Sequence, residues 1–338
     1  MEIGGYMKIR TTKDSDQMID DSIRLSIVVP CYNEEKVLSE FYQRLSKVCS
    51  DQVFLNEDYE IIFINDGSTD LTWEIIYKIC KENKHVVGVN LSRNFGHQLA
   101  LTAGLDVACG ERIFIIDADL QDPPELLPEF MKLMDEGADV VYGKREHRVG
   151  ETFFKKKSAS IFYRLLNKMA KIDIPLDTGD FRLITKRVKD KLHSMPENQR
   201  FLRGMISWIG FNQVPLNYTR QPRFAGETKY PLSKMVAFSI DAITGFSVSP
   251  IRISVYFSLL FSIIAILLMI YVIFSWTVLN AVPGWASLGV ILTLLGAGQF
   301  LVMAIIGEYI SRIYIEAKRR PLYIIKEIIA MENKRTVK

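Results

Sequence analysis

The sequence has no G-x-G-x-x-G fingerprint and no G-x-x-x-x-G-K-[ST] loop. Neither a dinucleotide cradle nor a P-loop is therefore available to hold phosphates. Cysteine is scarce and confined to Cys31, Cys49, Cys80 and Cys109, without C-x-x-C spacing or a partnering histidine pattern. That distribution argues against a zinc ribbon or a disulfide scaffold and reads as reduced packing thiols. Charge of one sign is not in excess, since 42 Lys and Arg against 39 Asp and Glu leave a net +3. A general nucleic-acid binder is excluded on that ground. Residues 1–24 lack an apolar stretch of signal-peptide length and are expected to be a disordered leader. The longest absence is of charge itself, because nothing ionisable stands between Arg252 and Glu308.

What is present begins with Ile113 to Glu125, IFIIDADLQDPPE, an apolar run that ends abruptly in carboxylates. The β-branched content suits a strand buried on both faces, which puts the acids at its carboxyl end, the edge where open α/β sheets bind ligands. Asp117 and Asp119 lie two apart, so both carboxylates can converge on one hard divalent cation that also holds a diphosphate. A solvated turn with two acids is the alternative. The same order recurs upstream: strand Leu25 to Pro30 runs into Tyr32, Asn33 and Glu34, and strand Glu60 to Asn65 runs into Asp66, Gly67 and Ser68. Strand Val86 to Leu91 runs into Arg93 to His97, and a fifth strand is expected over Ala138 to Tyr142. Strand, polar turn and helix repeating in this way predict a mostly parallel sheet wound with helices. Acids at three strand ends favour a sugar-nucleotide cleft over simple helix caps.

From Lys144 to Arg164 the chain turns basic, with Arg145, Lys155, Lys156 and Lys157 interleaved with Phe153, Phe154, Phe162 and Tyr163. Cations beside aromatics suit an anionic headgroup at a membrane surface. Asp177 to Arg182 is an acid and glycine turn entering a further strand-like piece, and Arg223 to Tyr230 a glycine-hinged segment with two cations. The uncharged run is more than twice the length of about 20 residues that one span needs, so it must cross twice or fold as a hairpin, a buried helical hairpin of a soluble protein being the alternative. Spans are expected at 253–276 and 286–306, broken at Asn280, Pro283 and Gly284, with Trp276 and Trp285 as interfacial anchors. Basic residues flank both outer ends and none lies in the turn, which puts both ends on the cytoplasmic side.

With these residues in view the chain resembles glycosyltransferase family two, in particular polyprenyl-phosphate glycosyltransferases of the dolichol-phosphate mannose synthase kind that carry two C-terminal spans. The matching blocks are VVPCYNEE, INDGSTD, LSRNFGHQ, DADLQDPPE, DTGDFRL, RFAGETKY and GEYISRIY. The resemblance implies a Rossmann-like α/β domain of the glycosyltransferase A type over 25–222, a juxtamembrane amphipathic segment over 223–252, a transmembrane hairpin over 253–307, and a cytoplasmic C-terminal helix and tail over 308–338. It further implies Pro30, Tyr32, Glu34 and Asp66 at the nucleoside of the donor, and Asp117, Asp119 and Gln121 at Mg²⁺ or Mn²⁺ and the diphosphate. Arg223 and Lys229 match a late motif that assists the donor, with Thr228 where serine is usual. Arg145, Lys156 and Ser160 match the loop that receives the lipid phosphate, Lys155, Lys157 and Ser158 being alternatives of register.

The reaction implied is inverting transfer of a sugar, glucose from UDP-glucose being the specific expectation, to undecaprenyl or another polyprenyl phosphate at the cytoplasmic face. Asp180 is a catalytic candidate beside Asp117 and Asp119. Its alternatives are orienting the acceptor cations or the sugar hydroxyls, or a structural salt bridge with Arg182 or a lysine. Another sugar, a processive or protein-directed transferase, or a non-catalytic lipid-carrier binding or translocation subunit are the rival readings. Association into a homodimer or tetramer through the hairpins stays open.

Overall fold

The computed structural model of the chain describes residues 23–51, 58–146, 175, 178–220, 249–278 and 284–331. Strands β1 (Leu25–Cys31), β2 (Tyr59–Asn65) and β3 (Val86–Leu91) are buried along their whole length. Alternation along β1 and β2 divides their side chains between two cores. Ile27, Val29 and Phe63 pack with Leu38, Phe41 and Leu45 of helix α1 (Leu38–Asp51) and Ile76 of helix α2 (Thr72–Glu82). Val28, Ile62 and Ile64 pack on the opposite face with Ala100, Leu101 and Leu105 of helix α3 (His97–Val107). A strand covered on both sides needs apolar residues at every position, which is why these segments read as unbroken hydrophobic runs. Burial of each large side chain contributes roughly 1.5–3 kcal/mol.

Strand β4 (Arg112–Ile115) pairs parallel with β1 on the side away from β2. The chain order therefore reverses at β1, and a crevice opens between the carboxyl ends of β1 and β4. Beyond β4 come a short 3₁₀ turn at Pro124–Leu126, helix α4 (Leu127–Asp135) and strand β5 (Val140–Arg145). Strand β6 (Thr178–Thr185), helices α5 (Lys186–Ser194) and α6 (Leu202–Ile209) and strand β7 (Gln213–Tyr218) complete this half. With a last strand, β8 (Ile325–Ala330), the sheet order is β7-β5-β6-β4-β1-β2-β3-β8, with β6 antiparallel to both β4 and β5.

Two long helices follow, α7 (Ser249–Val278) and α8 (Trp285–Ala317), each containing a stretch long and apolar enough to cross a membrane. Their large apolar side chains, Leu259, Leu267, Leu292 and Phe300 among them, face outward. Outward-facing apolar surface on this scale needs lipid or protein to cover it. Gly298 lets α8 approach α7, since a Cβ there would stand 2.5 Å from the Phe261 ring.

Two expectations change. Ile23 and Arg24, assigned to the leader, already accept backbone hydrogen bonds from Glu111 and Arg112 at the start of β4. The segment after the hairpin is helical only to Ala317; Ile325–Ala330, expected within a helix and tail, form strand β8, antiparallel to β3. The juxtamembrane amphipathic segment lies outside the described residues over 223–248. The four cysteines are free thiols, three of them buried and Cys109 exposed.

Candidate active site

Strand register assembles the site. Ile115, the last residue of β4, is paired with Arg182 of the antiparallel β6. Asp117 lies two residues after Ile115 and Asp180 two residues before Arg182, so in this antiparallel pair both come to the same end of the sheet. Strand β5 runs antiparallel to β6 on its other side, with Lys144 opposite Thr178. Arg145 therefore lies against Gly179, its Nη2 2.8 Å from where a Cβ would stand.

His97, at the start of α3, links the two aspartates, with Nε2 3.2 Å from Asp180 Oδ2 and 3.6 Å from Asp117 Oδ1. Asp180 is buried and also accepts from Arg203 Nε at 2.9 Å, Arg203 Nη2 at 3.2 Å and Gln98 Nε2 at 3.0 Å. Burial alone would raise this carboxyl, but Arg203 and His97 overcome it and hold it well below the usual carboxylate range. The salt-bridge partner of Asp180 is thus Arg203, not Arg182 or a lysine. Arg182 instead donates to the carbonyl of Gly179 at 2.8 Å. Burial pushes Asp117 up to about 6, with Asp119, Asp180 and Asp122 reinforcing the shift and His97 opposing it. Burial would lower the His97 imidazole, but Asp117 and Asp180 raise it to about 9.

Asp119 accepts from the backbone N–H of Gln121 at 3.1 Å across Leu120, whose φ of 59° is the left-handed conformation that bulky residues avoid. Its other oxygen is 3.8 Å from Arg220 Nη2. Arg220 Nε in turn stands 3.3 Å from Asp122 Oδ1. Asp122 is buried and central here, accepting from the Tyr218 hydroxyl at 2.5 Å and facing Arg145 Nη2 at 4.0 Å. Burial would lower the Arg145 guanidinium, yet Asp122 and Tyr218 more than compensate and raise it.

On the β1 and β2 side the loops interlock through backbone donors. Pro30 is buried in β1, Tyr32 is exposed, and the Glu34 N–H donates to Thr72 Oγ1 at 2.8 Å. Asp66 accepts from the N–H groups of Phe95 at 2.7 Å and Gly96 at 2.9 Å, which binds the β3 loop to the β2 loop. Its carboxyl is raised by burial, the two backbone donors opposing the shift. Gly67, at φ 65°, permits this approach, because a Cβ there would stand 2.4 Å from the backbone of Arg93 and Asn94.

The structure therefore brings Asp117, Asp119, Gln121, Asp180 and Arg145 to one cleft and sets Pro30, Tyr32, Glu34 and Asp66 along its β1 and β2 flank. Lys156, Ser160, Arg223 and Lys229 lie outside the described residues. Sequence reasoning missed His97, Gln98, Asp122, Arg203, Tyr218 and Arg220. His97, Gln98 and Asp122 stood inside the quoted blocks, whereas no spacing pointed to Arg203 or Arg220.

Among the described residues no group of three or more His, Cys, Asp or Glu side chains could hold a metal ion by itself. The donor set nevertheless suits a hard divalent cation completed by a ligand's oxygens and by water. Asp117 Oδ1 is shielded from solvent and makes no hydrogen bond, the His97 imidazole standing 3.6 Å off, and Asp119 Oδ2 stands 3.8 Å from the Arg220 guanidinium. A shielded carboxylate oxygen without a donor is costly unless a cation meets it.

Comparison with known proteins finds relatives over nearly the whole chain. The family described as glycosyl transferase family 2 matches residues 26–192. An uncharacterized glycosyltransferase of Bacillus subtilis is 49% identical over 314 residues, covering 93% of this chain and 96% of that protein. A prophage bactoprenol glucosyl transferase homolog of Escherichia coli is 39% identical over 307 residues, covering 90% and 99%. The bactoprenol glucosyl transferase of Shigella phage SfV is 39% identical over 305 residues, covering 90% and 98%. Among solved structures, glucosyl-3-phosphoglycerate synthase of Mycobacterium tuberculosis with Mn²⁺, UDP and phosphoglyceric acid aligns at a TM-score of 0.47 and 21% identity, over 65% of this chain and 76% of that one.

Proposed function

This chain belongs to glycosyl transferase family 2, and from that premise we propose that it transfers glucose from UDP-glucose to a polyprenyl phosphate, with inversion, at the cytoplasmic face of a membrane. The observation that carries the reading is the meeting of Asp117 and Asp119 with Asp180 and Arg145 at the crevice beside β1, in a chain that carries two lipid-compatible helices. The near full-length likeness to bactoprenol glucosyl transferases supports both the sugar and the acceptor class.

Asp117 and Asp119, with Gln121 beside them, would hold Mg²⁺ or Mn²⁺. When bound, the ion supplies charge neutralisation for the leaving diphosphate. The remaining work falls to the chain's own side chains. A phosphate monoester has its second pKa near about 6, so the acceptor arrives mostly as a dianion and needs a position more than a base. Arg145, kept cationic beside Asp122, is suited to receive that dianion, with Lys156 and Ser160 as further candidates. Asp180 stays ionised through its contact with Arg203, which makes it a weak proton acceptor. Its role in this reading is to hold His97 and Arg203 at the edge of the cleft. Pro30, Tyr32, Glu34 and Asp66 form the nucleoside side, and Arg223 and Lys229 complete the donor site from the segment before the hairpin.

Sugar transfer by the purified full chain from UDP-, GDP- and TDP-sugars to a short polyprenyl phosphate, with the lipid product weighed by mass spectrometry, tests this. Glucosyl lipid from UDP-glucose, abolished by EDTA and reduced at least about 100-fold by Asp119→Ala, is expected. Transfer that survives Asp119→Ala would overturn the metal assignment. Product found only in water-soluble polymer, or nucleotide binding without turnover, would overturn the reaction.

A further inference from the structure

Strand β8 reaches the sheet only after the whole hairpin, yet it pairs with β3 through Val87 to Leu91. The end of α8 is held on the same side: Arg312 donates to Gln199, Asn198 Nδ2 donates to Glu316 Oε2 at 2.6 Å, and the Tyr323 hydroxyl donates to Asp106 at 2.6 Å. Within β8, Glu327 stands directly across from Asn90, which stands directly across from Asn65, the last residue of β2.

Their side chains form one hydrogen-bonded row. Asn90 Nδ2 donates to Glu327 Oε1 at 3.0 Å and Asn65 Nδ2 donates to Asn90 Oδ1 at 2.9 Å. Asn65 Oδ1 then accepts the backbone N–H of Ser68 at 3.2 Å, and Ser68 Oγ accepts the N–H of Asn33 at 3.0 Å. An asparagine amide can sit either way round, so two in a row have no preferred sense unless one end is fixed. A carboxylate only accepts. Glu327 at one end and the Ser68 N–H at the other therefore demand the same sense, with the NH₂ of both buried asparagines toward Glu327 and the Asn65 carbonyl facing the loop that carries Asp66, Gly67 and Ser68.

We propose that Glu327 is a positioning residue for the donor site: β8 returns from the membrane with the charge that sets the shape of the nucleoside-binding loops. This rests on the reading of Asp66 and its neighbours as the nucleoside side of the cleft. Lys326, exposed on the same strand, has no such connection among the described contacts and serves as the control.

The test measures UDP affinity by calorimetry on the full chain in detergent micelles with Mn²⁺ present, alongside KM for both substrates and thermal unfolding. Glu327→Ala is expected to weaken UDP binding about tenfold, consistent with loss of a hydrogen bond to a charged group, and to raise KM for the nucleotide sugar while leaving KM for the polyprenyl phosphate unchanged. Glu327→Gln, which keeps an acceptor oxygen, restores most of the affinity, and Lys326→Ala changes nothing. Adding Asn65→Ala to Glu327→Ala costs little more, as expected of members of one network. Unchanged UDP affinity in Glu327→Ala, or equal loss for both substrates together with a lowered melting temperature, overturns the proposal. If the wild-type chain binds none of UDP, GDP or TDP, the reading of the site fails and this inference with it; if it binds and Glu327→Ala matches it, only the inference fails.

Discussion

At the scale of single residues the site is governed by a balance of buried charge. Asp117, Asp119, Asp122 and Asp180 would repel one another if left alone, and His97, Arg145, Arg203 and Arg220 are distributed among them. Asp180 depends most on its partner, because its side chain is only 5% exposed. Arg203→Met would leave that carboxylate without its main counter-charge and should cost about 3 kcal/mol, the lower end of the range for broken buried pairs, since Arg203 itself is 24% exposed. The pH dependence has a definite sign. A carboxyl lower in the folded state than in the unfolded one stabilises fully above the unfolded value near about 4, and that contribution is lost as pH falls through the depressed folded value. The difference in melting temperature between wild type and Arg203→Met should therefore be full at pH 7 and shrink below about pH 4. A constant difference across that range would mean that Arg203 acts through packing alone.

At the scale of elements, strand ends place the residues and loop contacts hold them. Gly67→Ala forces a side chain into the backbone of Arg93 and Asn94 and should separate the β2 and β3 loops, so that Asp66 loses its two donors. A loss of about 2–3 kcal/mol in stability and a clear fall in UDP affinity are expected. Gly137→Ala shares the positive φ but meets nothing within 4 Å, and should cost only about 1 kcal/mol with no effect on UDP. Equal effects of the two substitutions would show that backbone strain, not loop contact, decides the outcome. The first five strands were legible because each is an apolar run ended by polar turn chemistry, and Asp117 and Asp119 were legible because the run stops on them. Strand β7 was not, since Pro215 and the amides Gln213 and Asn217 interrupt QVPLNY; proline is tolerated there because β7 is an edge strand. Strand β8 was hidden for the opposite reason, because Ile324, Ile325, Ile328 and Ile329 repeat at helical spacing directly after a long helix. Only pairing with distant β3 makes that segment a strand, and the same dependence on partners far along the chain concealed Arg203.

At the scale of the molecule, the helices set where the cleft can work. From Trp285 to Gly307, α8 is uncharged and about 34 Å long, close to a hydrocarbon core of about 30 Å. The remaining turns, through Glu308, Arg312 and Glu316, extend about 15 Å further and meet Asn198 and Gln199 of the catalytic half. In the proposed reaction, with both helices across a membrane, the rod would fix the height of the cleft above the lipid boundary, within reach of a phosphate whose tail stays in the bilayer. Confinement at that surface raises the effective concentration of acceptor without any added contact. β8 lies in the same sheet as β3, so the end of the hairpin is on the side of the catalytic half, and the proposed pair of crossings would put the connecting turn on the other. In a Cys109→Ser background, Asn280→Cys should react with a membrane-impermeant maleimide in intact cells, while Lys326→Cys, exposed on β8, should react only after permeabilisation. Labelling of both positions in intact cells, or of neither until the membrane is opened, would mean that α7 and α8 do not cross as a pair, and the catalytic cleft would then need another route to its lipid substrate.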